Sequence, residues 1–237
     1  TASTVSVNTT AGFSIVKWTG TGSGTTIGHG LGVKPKVIFV KNLDSSRNWV
    51  VNVGEIVGTD ERSLYLNATD AIKDSAAADH GYTYNNTTTT FSTTGGAAGT
   101  QNDVNESGSM MVAYCFAEVK GFSKFGKYTG NFNANGTFIY TGFKPDFVMV
   151  KKLAATGPWR MFDATRAGNT NPANKWLDAN TNSGGVGSTD VQADLVSNGI
   201  KLRDAANAFN TNGSEYAYFA FASEPLVANV GNSIPAT

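Results

Sequence analysis

The sequence predicts an all-β protein built from two tandem, related units of β-sandwich or jelly-roll type. The first observation behind this prediction is an internal repeat: residues 34–41 (KPKVIFVK) match residues 144–151 (KPDFVMVK), and Trp49 matches Trp159 at the same offset of 110 residues. The second is that the strongest apolar segments are short runs, bounded by proline and by polar turns, which is typical of strands.

A second matching block sets the limits of the repeat. Residues 105–109 pair with residues 210–214, now at an offset of 105, so the length differences fall in the middle loops. We therefore divide the chain into a short N-terminal tail or linker, two β-sandwich repeats and a C-terminal tail, which are residues 1–11, 12–120, 121–226 and 227–237.

Each repeat offers about five to seven strand candidates separated by turn signals. The candidates are residues 13–18, 37–40, 63–66 and 110–117 in the first repeat, and 138–140, 147–150, 199–202 and 216–222 in the second. Only residues 68–78 and 190–196 have a helical composition. The polar, Thr-, Asn- and Gly-rich segments 79–108 and 180–188 are expected to be long loops, where two equivalent scaffolds can carry different binding surfaces.

The charge balance argues against a nucleic-acid or membrane partner. Lys plus Arg and Asp plus Glu both number 18, and charged residues make up only 15% of the chain, so no basic face is expected. No apolar run approaches the roughly 18 residues of a transmembrane helix. The single cysteine, Cys115, lies within an apolar run and is expected to be a buried hydrophobe.

Residues for catalysis or metal binding are sparse. The two histidines, His29 and His80, are far apart in sequence and belong to no metal-binding pattern. The second repeat contains no histidine, so it lacks the base that a nucleophilic serine or cysteine usually needs. We therefore predict that the protein is not an enzyme and has no cofactor and no metal.

Aromatic residues that recur in both repeats are expected to pack the fold. Trp49 with Trp159, and Trp18 with Tyr128, occupy equivalent positions. Tyr82 and Tyr84 in the first long loop, and Trp176, whose equivalent lies near Ser63, occur in one copy only. These three residues are the candidates for ligand binding, although an ordinary packing role is open for each of them.

Five sequence strings carry a resemblance to a family of structural proteins of tailed bacteriophages, particularly marine ones. They are residues 9–16 (TTAGFSIV), 28–35 (GHGLGVKP), 113–119 (AYCFAEV), 121–126 (GFSKFG) and 140–145 (YTGFKP). The resemblance covers nearly the whole chain. In that family the duplicated unit forms the C-terminal end of a longer virion protein, and residues 227–237 look like the family's chain end.

The resemblance implies a virion component on the exterior of the particle, made in the bacterial host cytoplasm, and it carries no catalytic residues to transfer. We expect a tail-fibre or spike module, a trimer or other homo-oligomer that meets other virion proteins and contacts a host surface glycan or protein. The alternatives are a capsid decoration or head-fibre protein without a receptor, and a polysaccharide-degrading spike. The loop at residues 74–84 departs from the family pattern.

Overall fold

The computed structural model describes residues 1–59, 61–74, 81–95, 102–185, 192–205 and 208–224. The chain divides into two compact units, Thr1–Glu118 and Val119–Thr237. We call them unit 1 and unit 2. This division falls two residues before the repeat boundary that the sequence suggests.

The described part of unit 1 contains nine strands and two one-turn helices. In chain order they are β1 (Thr4–Asn8), β2 (Phe13–Thr19), β3 (Thr25–Gly28), β4 (Val37–Asn42), β5 (Val50–Asn52), α1 (Gly54–Val57), β6 (Ser63–Tyr65), β7 (Thr83–Tyr84), β8 (Thr90–Thr93), α2 (Asn102–Asn105) and β9 (Met110–Phe116).

The described part of unit 2 consists of strands alone. They are β10 (Ser123–Thr129), β11 (Phe138–Tyr140), β12 (Phe147–Lys152), β13 (Trp159–Asp163), β14 (Trp176–Asp178), β15 (Gly184–Gly185), β16 (Ala193–Val196), β17 (Gly199–Leu202) and β18 (Glu215–Phe221).

Each unit pairs a six-stranded sheet with a three-stranded sheet, and every ladder is antiparallel. The large sheets run β1, β2, β9, β4, β5, β6 in unit 1 and β10, β18, β12, β13, β14, β15 in unit 2. The small sheets run β3, β8, β7 and β11, β17, β16. The all-β class and the two similar halves that the sequence predicts are confirmed.

The core of each unit lies between its two sheets, because residues alternate between the faces of a strand. In unit 1, Val16 and Ala113 of the large sheet belong to one buried cluster with Ile27 and Phe91 of the small sheet. In unit 2, the matching cluster joins residues such as Val148 and Tyr216 of the large sheet to Ile139 and Ile200 of the small one. The apolar run of each strand thus supplies one inward face.

The aromatic residues shared by the repeats pack within the units. Trp18, Tyr128 and Trp159 are buried. Trp49 is partly buried and stacks on Tyr114, with 6.1 Å between ring centroids and 24° between ring planes. The packing role that the sequence predicts for these positions therefore holds in both units.

Both helix predictions are wrong where the structure describes them. Ala193–Val196 is strand β16, whose residues pair with β17 and place Leu195 against the core. No helix forms over residues 68–74, because Lys73 exchanges both backbone hydrogen bonds with Ser63 across a β-bridge. Residues 75–78 and 190–191 lie outside the described residues.

The segments expected as loops or tails also contain regular structure. Residues 79–108 include β7, β8 and α2, because Phe91 between Thr90 and Ser92 reaches the core and draws that segment into the small sheet. Residues 180–188 include the two-residue β15. In the predicted tail at residues 1–11, β1 pairs with β2 along its whole length while all its side chains stay largely exposed. Residues 227–237 lie outside the described residues.

Candidate functional site

Tyr82 and Tyr84 lie together at the edge of the small sheet of unit 1. The side chains of both project from the outward face, because Thr83 between them is fully buried on the inward face. Their rings meet edge to face, with 6.0 Å between centroids and 62° between planes. The two candidates that the sequence predicts in one loop thus form a single aromatic pair.

Hydrogen bonds to neighbouring strands hold the backbone of this pair in place. The Tyr82 amide donates to Thr94 Oγ1 over 3.2 Å, and the Thr94 amide donates back to the Tyr82 carbonyl over 3.1 Å. From the large sheet, Asn52 Nδ2 donates to the Thr83 carbonyl over 2.6 Å. The rings are therefore mounted on a fixed backbone, which lowers the entropy lost when a ligand binds.

The electrostatics of the pair keep the Tyr82 hydroxyl protonated. Burial raises the pKa of Tyr82, and the nearby Glu61 and Tyr84 raise it further. The hydroxyl group therefore stays protonated at neutral pH, where it can both donate and accept a hydrogen bond. A protonated tyrosine can stack and hydrogen-bond, but it does not supply the anionic nucleophile of a covalent reaction.

Trp176 belongs to the interior of unit 2. Its indole is partly buried and packs against the core cluster. The Arg160 guanidinium lies over the ring, 3.5 Å from its centroid. One ring face is thus taken by the protein itself, so an external ligand could reach Trp176 only from its remaining surface.

Arg160 also forms a buried ion pair with Asp178, with 2.8 Å between Nε and Oδ1. Desolvation lowers the pKa of Arg160 and raises the pKa of Asp178, although their mutual attraction opposes both shifts. Within the described residues, Arg160 Nη1 and Trp176 Nε1 have no hydrogen-bond partner. The cluster is therefore a polar inclusion in an apolar core.

Phe138 and Tyr140 form a second aromatic pair, which the sequence-based candidates omit. Both lie on the outward face of the small sheet of unit 2, since Ile139 between them is buried in the core. Phe138 is 44% exposed and Tyr140 is 65% exposed. The sequence carries the signal: an apolar residue flanked by two aromatic residues in a strand places both rings on the opposite face.

The buried histidine of unit 1 has a structural role. His29 Nδ1 accepts a hydrogen bond from the Leu31 amide over 3.2 Å, so Nε2 carries the proton and donates to the Thr87 carbonyl over 3.2 Å. Burial lowers the pKa of His29, which favours this neutral form. Both ring nitrogens are therefore engaged inside the fold. His80 lies outside the described residues.

Cys115 is buried in the core of unit 1, as its apolar surroundings in the sequence predict. Burial raises the pKa of its thiol to about 12, although a hydrogen bond with Ser14 acts in the opposite direction. The thiolate, which is the nucleophilic form, is therefore scarce at neutral pH.

The model of a protein family, a domain of unknown function designated DUF7483, matches residues 1–225. The chain belongs to this family. The DUF7483 match spans unit 1, including β1, and continues across the described strands of unit 2, so the duplication lies within the family's domain. No curated protein and no solved structure matches this chain.

The described part of this DUF7483 chain contains neither a candidate metal cluster nor a membrane-spanning helix. Over the described residues, His, Cys, Asp and Glu side chains form no group of three or more that could hold a metal ion. Across the same residues, no helix has the length and apolar character needed to span a bilayer.

Proposed function

We propose that this chain is a structural module of a tailed-bacteriophage particle, displayed on the outside as part of a tail fibre or spike that contacts the host surface. It acts as a homo-oligomer, with a trimer favoured, and it meets other virion proteins. Its role is contact with a host glycan or protein, without catalysis. The resemblance of five sequence strings to phage structural proteins supports this class.

The contact role is supported by a difference between the two units. They share one arrangement of sheets but carry different aromatic residues on the outward faces of their small sheets. Both small sheets present an aromatic pair on the face away from the core. In unit 1 the pair is Tyr84 of the edge strand β7 and Tyr82 just before it; in unit 2 it is Phe138 and Tyr140 on the opposite edge strand, β11. A duplicated scaffold with different aromatic residues on its outward faces is the pattern of a binding module, since aromatic side chains dominate contact energies.

The residues best suited to covalent chemistry support a role without catalysis. His29 uses both ring nitrogens inside the fold, and Cys115 is a buried thiol with a raised pKa. Neither is placed to act on an external substrate.

Two measurements test the proposal. Gold-labelled antibodies against the purified chain, viewed on intact particles by electron microscopy, are expected to mark the tail. Fluorescently labelled chain is expected to bind cells from a panel of marine bacterial isolates, and Tyr82→Ala with Tyr84→Ala to weaken that binding. Leu43→Ala is the matched control, because Leu43 is an exposed apolar residue of unit 1 that lies outside the pair.

Other outcomes would move the protein to another class. Labelling of the head, no binding to any cell, and greater heat resistance of capsids carrying the chain would indicate capsid decoration instead. Hydrolysis of host polysaccharide by the purified chain would contradict the role without catalysis and favour a degrading spike.

A further inference from the structure

The outward face of β11 and β17 in unit 2 is a distinctive surface to which no role has been assigned so far. We call it the aromatic platform and define it by Phe138, Tyr140, Gly199 and the turn residue Asn198. Tyr140 stands directly opposite Gly199 in the ladder, and the Asn198 carbonyl accepts hydrogen bonds from the amides of Thr141 and Gly142. The turn therefore closes one end of the platform.

The two rings of the platform are not covered by other aromatic rings. In the part of the chain that the structure describes, neither Phe138 nor Tyr140 stacks on another ring, and the Tyr140 hydroxyl forms no hydrogen bond. Tyr82 and Tyr84 differ in this respect, because each covers part of the other. The exposed rings of unit 2 are thus the more available pair.

Glycine is what allows the Phe138 ring to lie down on the sheet. A Cβ atom on Gly199 would lie 2.8 Å from Phe138 Cζ and 2.2 Å from the Ile139 carbonyl oxygen, so any side chain there would collide with ring and strand. The ring therefore extends over Gly199 of the neighbouring strand. About 7 Å separates the Cα atoms of Phe138 and Tyr140, two residues apart on one strand.

Hydrogen-bonding groups surround the rings. Lys201 lies opposite Phe138 in the ladder, and Asp194 lies opposite Lys201. Asp194 accepts a hydrogen bond from Arg203 Nε. Asn198, in the exposed turn, adds an amide that can donate and accept. An apolar floor with a polar rim matches a sugar ring, which has an apolar C–H face and hydroxyl groups around its edge.

The exposed aromatic area of the platform is small compared with the area that a stable protein–protein interface buries. Phe and Tyr each bury about 150–250 Å² when fully covered, so rings that are 44% and 65% exposed offer together about 200 Å². A stable protein interface needs about 800 Å² from each partner. The aromatic area therefore suits one or two sugar rings better than a second protein chain.

We propose that the aromatic platform of unit 2 binds a saccharide, with Phe138 and Tyr140 stacking on sugar rings and the rim residues holding their hydroxyl groups. This assignment deepens the proposed function, on which its biological meaning rests, by naming the class of surface molecule and the residues that meet it.

Saturation-transfer NMR on the full chain tests the platform directly, using neutral and uronic-acid-containing oligosaccharides released from bacterial envelopes as probes. We expect saturation of sugar C–H protons by the wild type. Phe138→Ala and Tyr140→Ala should each weaken binding about two- to tenfold, the usual range for one aromatic contact. Tyr140→Phe keeps the ring and should weaken it less. Leu43→Ala is the control, and thermal melting checks that every variant folds.

Treatment of the bound surface separates a saccharide from a protein receptor. Periodate, which cleaves vicinal diols of sugars, is expected to abolish binding of the chain to cells, whereas protease treatment should leave it. Loss of binding after protease alone would overturn the saccharide assignment, and so would the absence of any saturation transfer from the oligosaccharides.

The platform and the proposed function fail in different ways. If the wild type binds cells and the double variant Phe138→Ala with Tyr140→Ala binds equally well, the platform is refuted while the contact role stands. If the wild type binds oligosaccharides through the platform but never binds cells, the platform stands and the contact role is refuted.

Discussion

Unit 1 and unit 2 fill the same place in their cores with opposite chemistry. In the β5–β6 ladder of unit 1 Val50 pairs with Tyr65, whereas in the equivalent β13–β14 ladder of unit 2 Arg160 pairs with Asp178. All four residues are buried or nearly so. The sandwich therefore tolerates an ion pair where its copy has a valine and a tyrosine, which shows that strand pairing and the rest of the core define the frame.

The neighbouring position explains how unit 2 accommodates the charges. Trp176 occupies the ladder position of Ser63 in unit 1, and its indole covers the Arg160 guanidinium. Trp176, an aromatic residue at this position only in unit 2, thus contacts an ion pair that is also found only in unit 2. Desolvation opposes the ionisation of both partners, so the pair adds little to the free energy of unfolding compared with an apolar pair. Removing only one partner is costly, because it leaves the other charge buried and unpaired.

Breaking this ion pair should have the largest effect of the predicted variants. Arg160→Met leaves the Asp178 carboxylate buried without its counter-charge, and we expect a loss of about 3–5 kcal/mol in the free energy of unfolding. The double variant Arg160→Val with Asp178→Tyr installs the residues of unit 1 and should recover most of that loss. Urea denaturation, with hydrogen exchange resolved by unit, measures both values.

The double variant also tests how far the two units are interchangeable. If it is as unstable as Arg160→Met, then the core of unit 2 requires charge at this ladder, and the equivalence of the two frames does not extend to their interiors. The reverse substitution in unit 1, Val50→Arg, is the matched control, because it buries an unpaired cation and should be as damaging as Arg160→Met.

The units agree most closely at a buried asparagine that closes each sandwich. Asn105 Oδ1 accepts a hydrogen bond from the Thr21 amide over 3.1 Å, and its Nδ2 donates to Thr21 Oγ1 over 3.0 Å. Asn210 Oδ1 accepts from the Asn131 amide over 2.9 Å, and its Nδ2 donates to Asn131 Oδ1 over 3.2 Å. The same side chain thus fixes the same turn twice.

Replacing either asparagine should therefore have equal effects. Asn105→Ala and Asn210→Ala each remove several partly buried hydrogen bonds at once, and we expect each to lower the free energy of unfolding by about 2–3 kcal/mol. Asn182→Ala, at an exposed position, is the control and should change it by less than about 0.5 kcal/mol. A difference of more than about 1 kcal/mol between the two buried sites would show that the turns are alike in geometry but not in energy.

The parts of the fold that the sequence predicts are those where local pattern and pairing agree. Val37–Asn42 and Phe147–Lys152 are apolar runs that begin just after a proline, and both lie in the interior of a six-stranded sheet. Ala193–Val196 has a helical composition and is nonetheless a strand, because pairing with β17 and burial of Leu195 outweigh a weak local preference. A single apolar residue, Phe91, was too weak a signal for β8 within a polar tract.

The residues of the candidate sites also divide into those that a local pattern places and those that only strand pairing brings together. Comparing the two copies correctly singled out Trp176 as a difference between them, but its partner Arg160 lies 16 residues earlier and meets it only through strand pairing. Phe138 and Tyr140 needed no long-range information, since alternation within one short strand placed both rings outward. The sequence-based candidates omit them, although residues 138–140 are predicted as a strand.

The smallest predicted effect concerns acid stability, where the units again differ at one equivalent position. In unit 1, Glu106 accepts hydrogen bonds from Arg47 Nη2 over 2.8 Å and from Asn42 Nδ2 over 2.6 Å. The hydrogen bond from Arg47, with others around it, lowers the pKa of Glu106 from 4.5 to about 2. In unit 2, the matching contact is a neutral acceptor: Lys152 Nζ donates to Thr211 Oγ1 over 3.1 Å.

Unit 1 should therefore lose stability in acid through a group that unit 2 lacks. Because the folded-state pKa of Glu106 is depressed, its contribution is complete above pH 4.5 and declines as the pH falls toward about 2. We expect Glu106→Gln to cost about 1–2 kcal/mol at pH 7 and to flatten this decline, which hydrogen exchange of β4 against β12 would resolve. Glu215→Gln, which removes an exposed ion pair with Lys127, should leave it unchanged. An unaltered acid profile in Glu106→Gln would mean that other carboxylates govern the acid sensitivity of unit 1, and that its difference from unit 2 at this position has no energetic consequence.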